Sequence, residues 1–376
     1  MANVTNGAKP AKVAKSTAPA EAPKVPKGAN GKIEPRPQKL KKIEIHGFKS
    51  IESASIELRE LNVVIGANGA GKSNLIETFK LLERFFSGRL SEYVAGEPWR
   101  FLHHGQKKTS EISFGLTVED GTWSIRLKHL RDKLTTRDDS VQSADDDQTQ
   151  STGDDQTQCD IGDTARKWVV YHFDDTSDQS PAKHLANLDD NRFLRHDADN
   201  IAAFLYWMQE KHPSRFRRLE EHVKLVAPFF ERFVLAPSKL NENKIKLEWQ
   251  HKGSEAYFDV FSLSDGTLRF ICLAALLLQP EPPPLILLDE PELGLHPFAI
   301  NSLADMLVAA SKRTQVIVAT QSVTLLSNFD PSDVIVAEHR GLKTTFKRLD
   351  EKELASWLED FSLGELFEKN VLGGGP

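Results

Sequence analysis

The chain has 376 residues, 39% hydrophobic and 27% charged, with a formal net charge of −6, enough for one large domain or two. The apolar runs Leu273–Leu278 and Leu285–Leu288 are far shorter than the ~20 residues of a membrane helix and read as buried core. The two cysteines, Cys159 and Cys272, lie far apart in unlike contexts, which indicates neither a disulfide framework nor a zinc site; with no secretory signal, a cytoplasmic protein with no membrane partner is expected.

The net charge hides an asymmetry. Residues 1–42 carry ten Lys/Arg against two Glu, in an Ala/Pro/Lys-rich stretch that cannot form a core and reads as a disordered basic tail over 1–40. A solubilising leader, a nucleic-acid contact and a transit peptide are the readings open for it. Folded chain is expected from about Leu40. Ile43–Ile45 and Ser55–Leu58 pattern as antiparallel strands joined through Gly47-Phe48-Lys49-Ser50, and Leu61–Ile65 as a buried strand bounded by Gly66. Leu75, Phe79, Leu82 and Phe86 then recur at helical spacing up to Gly88. Glu111–Thr117 and Thr122–Leu127 alternate as a hairpin around Asp120-Gly121. Residues 138–163 hold nine Asp and no base, with Asp-Asp-Gln-Thr-Gln twice; two copies do not make a solenoid, and 135–163 reads as a disordered acidic insertion before a strand at Trp168–Phe173.

From 176 to 242 the pattern turns helical, with Asn200–Lys211 and Ser214–Val226 separated by Pro213 and stopped by Pro228. Strands follow at Lys244–Trp249 and Tyr257–Val260, then a helix over Asp265–Leu278 and a strand at Leu285–Leu288. A helix at Phe298–Lys312 and strands at Val316–Ala319 and Val334–Ala337 complete an α/β pattern. The expected fold is α/β, a P-loop nucleoside-triphosphatase head with a mixed sheet, antiparallel N-terminal strands and an inserted helical lobe. Its parts are an N-terminal ATPase lobe over 41–175, the helical lobe over 176–242, a C-terminal ATPase lobe over 243–350 and a C-terminal helix and tail over 351–376.

The chemistry starts at Gly66-Ala67-Asn68-Gly69-Ala70-Gly71-Lys72-Ser73. This fits G-x-x-x-x-G-K-[ST] between a strand and a helix, the context that the phosphate loop requires. Its backbone amides form an anion nest at a helix N-terminus. Lys72 is placed to reach the β- and γ-phosphates and Ser73 to bind Mg²⁺, with Asn74 beside them. Leu285–Leu288 ends in Asp289-Glu290: Asp289 suits Mg²⁺, directly or through water, and Glu290 suits the general base for an attacking water. Solvated acids also end ordinary strands, so this pair draws its meaning from Pro291-Glu292-Leu293-Gly294-Leu295-His296-Pro297 that follows.

Asp289-Glu290-Pro291-Glu292 with Gly294-Leu295-His296-Pro297 resembles the Walker B motif and D-loop of ABC-type ATPases in the RecF, SMC and OLD group. Leu263-Ser264-Asp265-Gly266-Thr267 is similar to their signature motif, Phe48-Lys49-Ser50 to their N-terminal strand turn, and Thr320-Gln321-Ser322 occupies the switch position. Tyr171-His172-Phe173-Asp174-Asp175-Thr176-Ser177 resembles a His-Phe-His-Asp-Thr-Ser element of certain bacterial AAA-family ATPases, where the group has its Q-loop; a polar strand end is the other reading. Gln106 is a rival for that nucleotide-side role.

The resemblance spans about Leu40–Leu349 and implies ATP and Mg²⁺ as cofactors, with Lys72, Glu290 and Gln321 catalytic and Lys49, Ser50, Ser264, Asp265, Gly266 and Thr267 binding nucleotide. It implies a homodimer in which the signature of one head caps ATP held by the other; an ordinary N-cap explains Ser264 alone. Asp265 places a carboxylate where the wider group has a glycine-like residue, His296 replaces a D-loop Asp, and Gln321 replaces a switch His and cannot carry a proton charge. Slow hydrolysis follows from that last departure.

The lobe is too short for a long coiled coil and shows no heptads, and about 50 residues after the switch strand leave no room for a Toprim nuclease domain. An effector such as a nuclease would then be a separate partner. DNA repair and phage defence are contexts that the resemblance brings. DNA contact through Arg215, Arg217 and Arg218 competes with a solvated helix face shared with Glu210, Glu220 and Glu221. An ATP-gated scaffold and a DNA-binding module stand beside the enzyme reading.

Overall fold

The computed structural model describes residues 38–374 apart from 106–108, 120, 131–132, 137–141 and 144–160. The basic tail, most of the acidic insertion, Cys159 and Gln106 therefore lie outside the described residues. Residues 37–376 form one compact unit.

The chain opens with an antiparallel pair, β1 (Lys42–Phe48) and β2 (Ile51–Glu57), whose register closes at Phe48↔Ile51. The pair is longer than apolar patterning predicts, because a two-residue Lys49-Ser50 turn fits between strands already in register. Lys49 takes a left-handed φ of 48° there. Next come β3 (Leu61–Ile65), α1 (Lys72–Phe86) and the short α2 (Leu90–Tyr93). β4 (Glu111–Val118) and β5 (Gly121–Leu130) form the expected hairpin, followed by β6 (Lys133–Thr136) and β7 (Gln142–Ser143). These strands build a first sheet in the order β2-β1-β4-β5-β6, with β7 also on β5.

After α3 (Ile161–Ala165) and β8 (Val169–Tyr171), a segment with the two-residue strand β9 (Ala186–Asn187) leads into α4 (Ile201–Lys211) and α5 (Pro213–Val226). Pro213 opens α5 at a first-turn position where its missing N–H costs nothing. β10 (Phe230–Val234), β11 (Pro237–Ser238), β12 (Asn241–Ile245), β13 (Glu248–His251) and β14 (Tyr257–Asp259) then form two small sheets, β10-β13-β14 and β11-β12-β9. The expected single strand over Lys244–Trp249 is divided between them. Ile245, Leu247 and Trp249 stay buried, so the alternation holds while the chain changes pairing partner.

The last part holds α6 (Asp265–Leu278), β15 (Leu285–Asp289), α7 (Pro297–Ser311), β16 (Gln315–Thr320) and α8 (Val323–Leu326). β17 (Val334–Arg340), β18 (Lys343–Arg348), α9 (Glu351–Leu358) and α10 (Leu363–Glu368) follow. The central sheet runs β18-β17-β3-β16-β15-β8, parallel except for β18. Its strands are apolar throughout because both faces are covered. On one face Val64, Leu285, Leu287, Ile317 and Ile335 pack with α1 and the first sheet. On the other Val63, Ile65, Ile286, Leu288, Val316 and Val336 pack with α4, α5, α6 and α7. Alternate residues of one strand thus serve two cores, and the strands' carboxyl ends meet at one edge, where such sheets take ligands.

Candidate nucleotide site

The phosphate loop leaves β3 and enters α1 with Gly71 in a left-handed conformation, φ +103°. A Cβ at Gly71 would overlap the side chain of Thr344 on β18, so glycine is needed for space as well as conformation. Thr344 is buried; its Oγ1 shares a 2.7 Å hydrogen bond with Ser50 Oγ, and its N–H donates to Ser50 O at 2.8 Å. Asn74 Nδ2 donates to the same Ser50 hydroxyl at 2.7 Å. Lys49 ion-pairs with Glu77 of α1. Lys49, Ser50 and Asn74, singled out from sequence, therefore form one network joining the β1–β2 turn to the phosphate loop. Thr344, which completes it, gives no signal in the sequence.

Lys72 is buried, and its Nζ donates to Gly66 O at 2.7 Å and Ala67 O at 3.2 Å. The ammonium thus closes on carbonyls of its own loop. Burial lowers its pKa, while Glu290, Asp289 and Glu292 favour the charged form. The lysine is therefore close enough to the carboxylates at the end of β15 for their charge to act on it. Ser73, exposed, follows it in the first turn of α1.

At the end of β15, Asp289 Oδ1 is buried without a hydrogen-bond partner. Such an oxygen is costly to leave unpaired. Hard oxygen donors from Asp289 and Ser73 fit a divalent cation such as Mg²⁺, so the residues present pass a chemical test for that ion. Among the described residues no cluster of three or more His, Cys, Asp or Glu could hold a metal; Mg²⁺ beside a nucleotide takes one or two protein ligands and fills its remaining positions with phosphate and water. Glu290 adopts a left-handed φ of 46°, its N–H donates to Ala319 O at 2.8 Å, and its Oε1 accepts from Gln321 Nε2 at 3.0 Å. Base candidate and switch candidate are in direct contact. Glu292, buried, accepts from Thr320 Oγ1, and its other oxygen lacks a partner; burial raises its pKa.

Ser264 caps α6, with its Oγ accepting from Thr267 N at 3.2 Å. Asp265 lies 3.8 Å from Lys183 Nζ. Gly266 packs so closely on Gly294 O that a Cβ would overlap it. The signature-like residues are thus seated against the D-loop-like turn. Arg269, one turn into α6, donates to Phe173 O at 2.9 Å, to Asp174 O at 2.8 Å and to Leu293 O. One guanidinium fork therefore holds the segment after β8, the D-loop-like turn and α6 together. Sequence reasoning misses it, because its acceptors are backbone carbonyls. Next to this region His172, beyond β8, has a pKa lowered by burial and by Lys80 and raised by Asp174 and Asp289. On α5, Arg215 and Arg218 lie near enough to Arg313 to add to the lowering that burial imposes on its pKa.

Solved structures share the fold. An Smc head bound to the C-winged helix domain of ScpA superposes with a TM-score of 0.57 at 19% identity, covering 84% of this chain and 99% of that one. An Smc head with an extended coiled coil bound to the C-terminal domain of ScpA, from Pyrococcus furiosus, gives 0.57 at 16%, covering 86% and 99%. An Smc head with a coiled coil and joint from Pyrococcus yayanosii gives 0.55 at 13%, also covering 86% and 99%. In sequence, the chain is 34% identical over 79 residues to the Mycoplasma genitalium protein named "Putative ABC transporter ATP-binding protein MG303", spanning 21% of each. Among the described residues no helix is long and apolar enough to cross a membrane. Residues 61–327, from the strand before the phosphate loop to the helix after the switch, match the family described as "AAA domain, putative AbiEii toxin, Type IV TA system", and the chain belongs to that ATPase family.

Proposed function

We propose that the chain is a Mg²⁺-dependent ATP hydrolase whose heads pair around ATP. The observation that carries this reading is the Gln321–Glu290 contact at the end of β15, facing the buried lysine of the phosphate loop. Bound phosphate would draw Lys72 from Gly66 O and Ala67 O to the β- and γ-phosphate oxygens. Ser73 and Asp289 would hold Mg²⁺, which would supply charge neutralisation for the phosphates. Glu290 accepts a proton as the water oxygen bonds to the γ-phosphorus and the bond to the ADP oxygen breaks, with Gln321 holding the carboxylate in place. Ser264, Asp265, Gly266 and Thr267 act on the nucleotide of the second head. What supports this is their seat against Gly294 and the exposed apolar side chains of Phe261, Leu293 and Phe298 nearby, a surface suited to a partner.

The test combines steady-state ATP turnover with mass in solution by light scattering, for wild type and Glu290→Gln, with and without Mg-ATP. Turnover lost in the variant, together with a dimer formed only on ATP, supports the reading. A variant that hydrolyses ATP at the wild-type rate sinks the enzyme reading, and one mass under all conditions sinks the ATP-driven dimer.

A second reading, a slow-turnover scaffold that gates a separate effector, is favoured by Gln321: an amide donor on Glu290 stabilises the carboxylate without offering a proton relay. The ScpA-bound Smc heads support a protein partner, and the toxin in the family's description supports a defence setting. DNA as a partner rests on the Arg215, Arg218 and Arg313 cluster alone. Salt-dependent DNA affinity with and without ATP tests it.

A further inference from the structure

The chain after α10 turns back to the phosphate loop. Ser322, next to Gln321, caps α8 by accepting from Leu325 N at 3.2 Å. α10 packs on α8 at Gly364, where a Cβ would overlap Ser327 Oγ and Val323 O. Beyond its end lies Asn370, φ 54°, where Asn370 N donates to Phe367 O and Val371 N to Leu366 O, both at 2.9 Å. These two bonds are those of a Schellman C-cap, which reverses the chain.

Leu372 then enters the core shared with α8. Gly373 and Gly374 follow, at φ +78° and +69°. A Cβ on the first would overlap the Glu338 carboxylate, and one on the second would lie 2.7 Å from Val336 Cγ1 and 3.1 Å from Ala337 O. Glu338 Oε1 accepts from Gly374 N at 3.2 Å, and Gly374 O accepts from Ala67 N at 2.5 Å. The helix after Gln321 and the Ala67 amide of the phosphate loop are thus joined by one short, tightly specified segment.

We propose that Leu372–Gly374 is a strap that positions the phosphate loop, with Glu338 as its anchor, so that strap docking and nucleotide affinity are coupled. The inference rests on the ATP-binding reading. The strap bonds the amide of Ala67, at the start of the loop, and Ala70 N–H donates to Ala67 O at 3.1 Å; the strap takes none of the amides of Gly71–Ser73, which lead into α1. It therefore preorganises the loop rather than competing with the ligand. By linkage, whatever factor strap docking adds to ATP affinity, ATP adds to strap docking.

The test uses the full chain with Gly373→Ala and Gly374→Ala combined. Gly341→Ala, at φ +66° with open space around it, is the control for a left-handed glycine alone. Glu338→Ala and Glu338→Gln probe the anchor, the glutamine keeping an acceptor for Gly374 N–H. Readouts are the Kd of a fluorescent ATP analogue, amide exchange at residues 66–71 without nucleotide, and kcat at saturating ATP.

The expected result for the double variant and Glu338→Ala is faster exchange and ATP affinity weaker by about tenfold, with kcat within about twofold of wild type. Glu338→Gln and the control stay near wild type. Kd unchanged in both the double variant and Glu338→Ala overturns the strap, whatever exchange shows. A wild type that binds no ATP overturns the nucleotide reading itself and the strap with it, an outcome distinct from a wild type that binds while the variants bind equally.

Discussion

Gln321 Nε2 donates to Glu290 Oε1 at 3.0 Å, across the ends of the adjacent strands β16 and β15. Glu290 is held from its backbone as well, through its N–H to Ala319 O, so both contacts come from the strand that ends in the switch residues. Removing a hydrogen-bond partner of a carboxylate in this setting costs about 1–3 kcal/mol, or roughly one to two decades in rate. Gln321→Ala is therefore expected to lower ATP turnover by about 10- to 100-fold while leaving the melting temperature nearly unchanged. Turnover equal to wild type would remove Gln321 from the chemistry.

The glycines of the phosphate loop make unequal demands. Gly71 combines a left-handed φ with an overlap against buried Thr344, whereas Gly69, at φ +77°, has open space around the same position. Overpacking and a strained φ each cost on the order of 1–3 kcal/mol. Gly71→Ala should thus reduce unfolding free energy in urea by at least twice the loss in Gly69→Ala. Equal losses would show that Thr344 yields, and that space is not what selects Gly71.

Much of the fold and of the site is legible in the sequence. The helix over Asp265–Leu278 reads from end to end because Ser264 caps it and an unbroken apolar run follows. The phosphate loop and Asp289-Glu290 read because their chemistry demands particular residues in particular order. The parts that do not read have a common cause. Arg269 bonds three backbone carbonyls, which any residue could supply. Thr344 lies on β18, a polar strand whose place is set by pairing with β17. Gly374 meets Ala67 through main-chain atoms far apart in sequence. Contacts made with main-chain atoms carry no residue signature at the acceptor, so the sequence does not show how Arg269 ties the segment after β8 to the D-loop-like turn or how Gly374 meets the phosphate loop.

His222 supplies a pH test away from the site. Its Nδ1 lies 3.2 Å from Ser302 Oγ between α5 and α7, and its pKa is lowered by burial and by Arg218, against Asp305 and Glu221. A histidine with a depressed folded pKa contributes stability that is present above the unfolded value of about 6.5 and is lost as pH falls through the folded value. His222→Gln should accordingly show a smaller fall in melting temperature between about pH 7 and 5 than wild type. His172, also depressed, adds to the fall, whereas Glu292 and Glu220, raised by burial, act against it. Identical slopes in both proteins would mean His222 is not buried as neutral imidazole.

Arg269 is the most demanding of the contacts, because one side chain serves Phe173 O, Asp174 O and Leu293 O at once. Guanidinium supplies donors in a fixed planar fork, whereas an ammonium is a point donor on a flexible stem. Arg269→Lys keeps the charge and loses the geometry, so it should behave like Arg269→Ala rather than like wild type. Leu293 and Gly294 are exposed and Gly266 packs against Gly294, so the first consequence should fall on the surface proposed to meet a second head. ATP-dependent mass in light scattering is expected to drop to that of the monomer in both variants. ATP binding by a single head, whose loop lies at β3 and α1, should stay within about threefold of wild type. A lysine variant that dimerises normally would show that charge alone suffices; loss of ATP binding together with dimerisation would instead make Arg269 a support of the whole crevice, and the trans role of the signature-like residues would lose its structural basis.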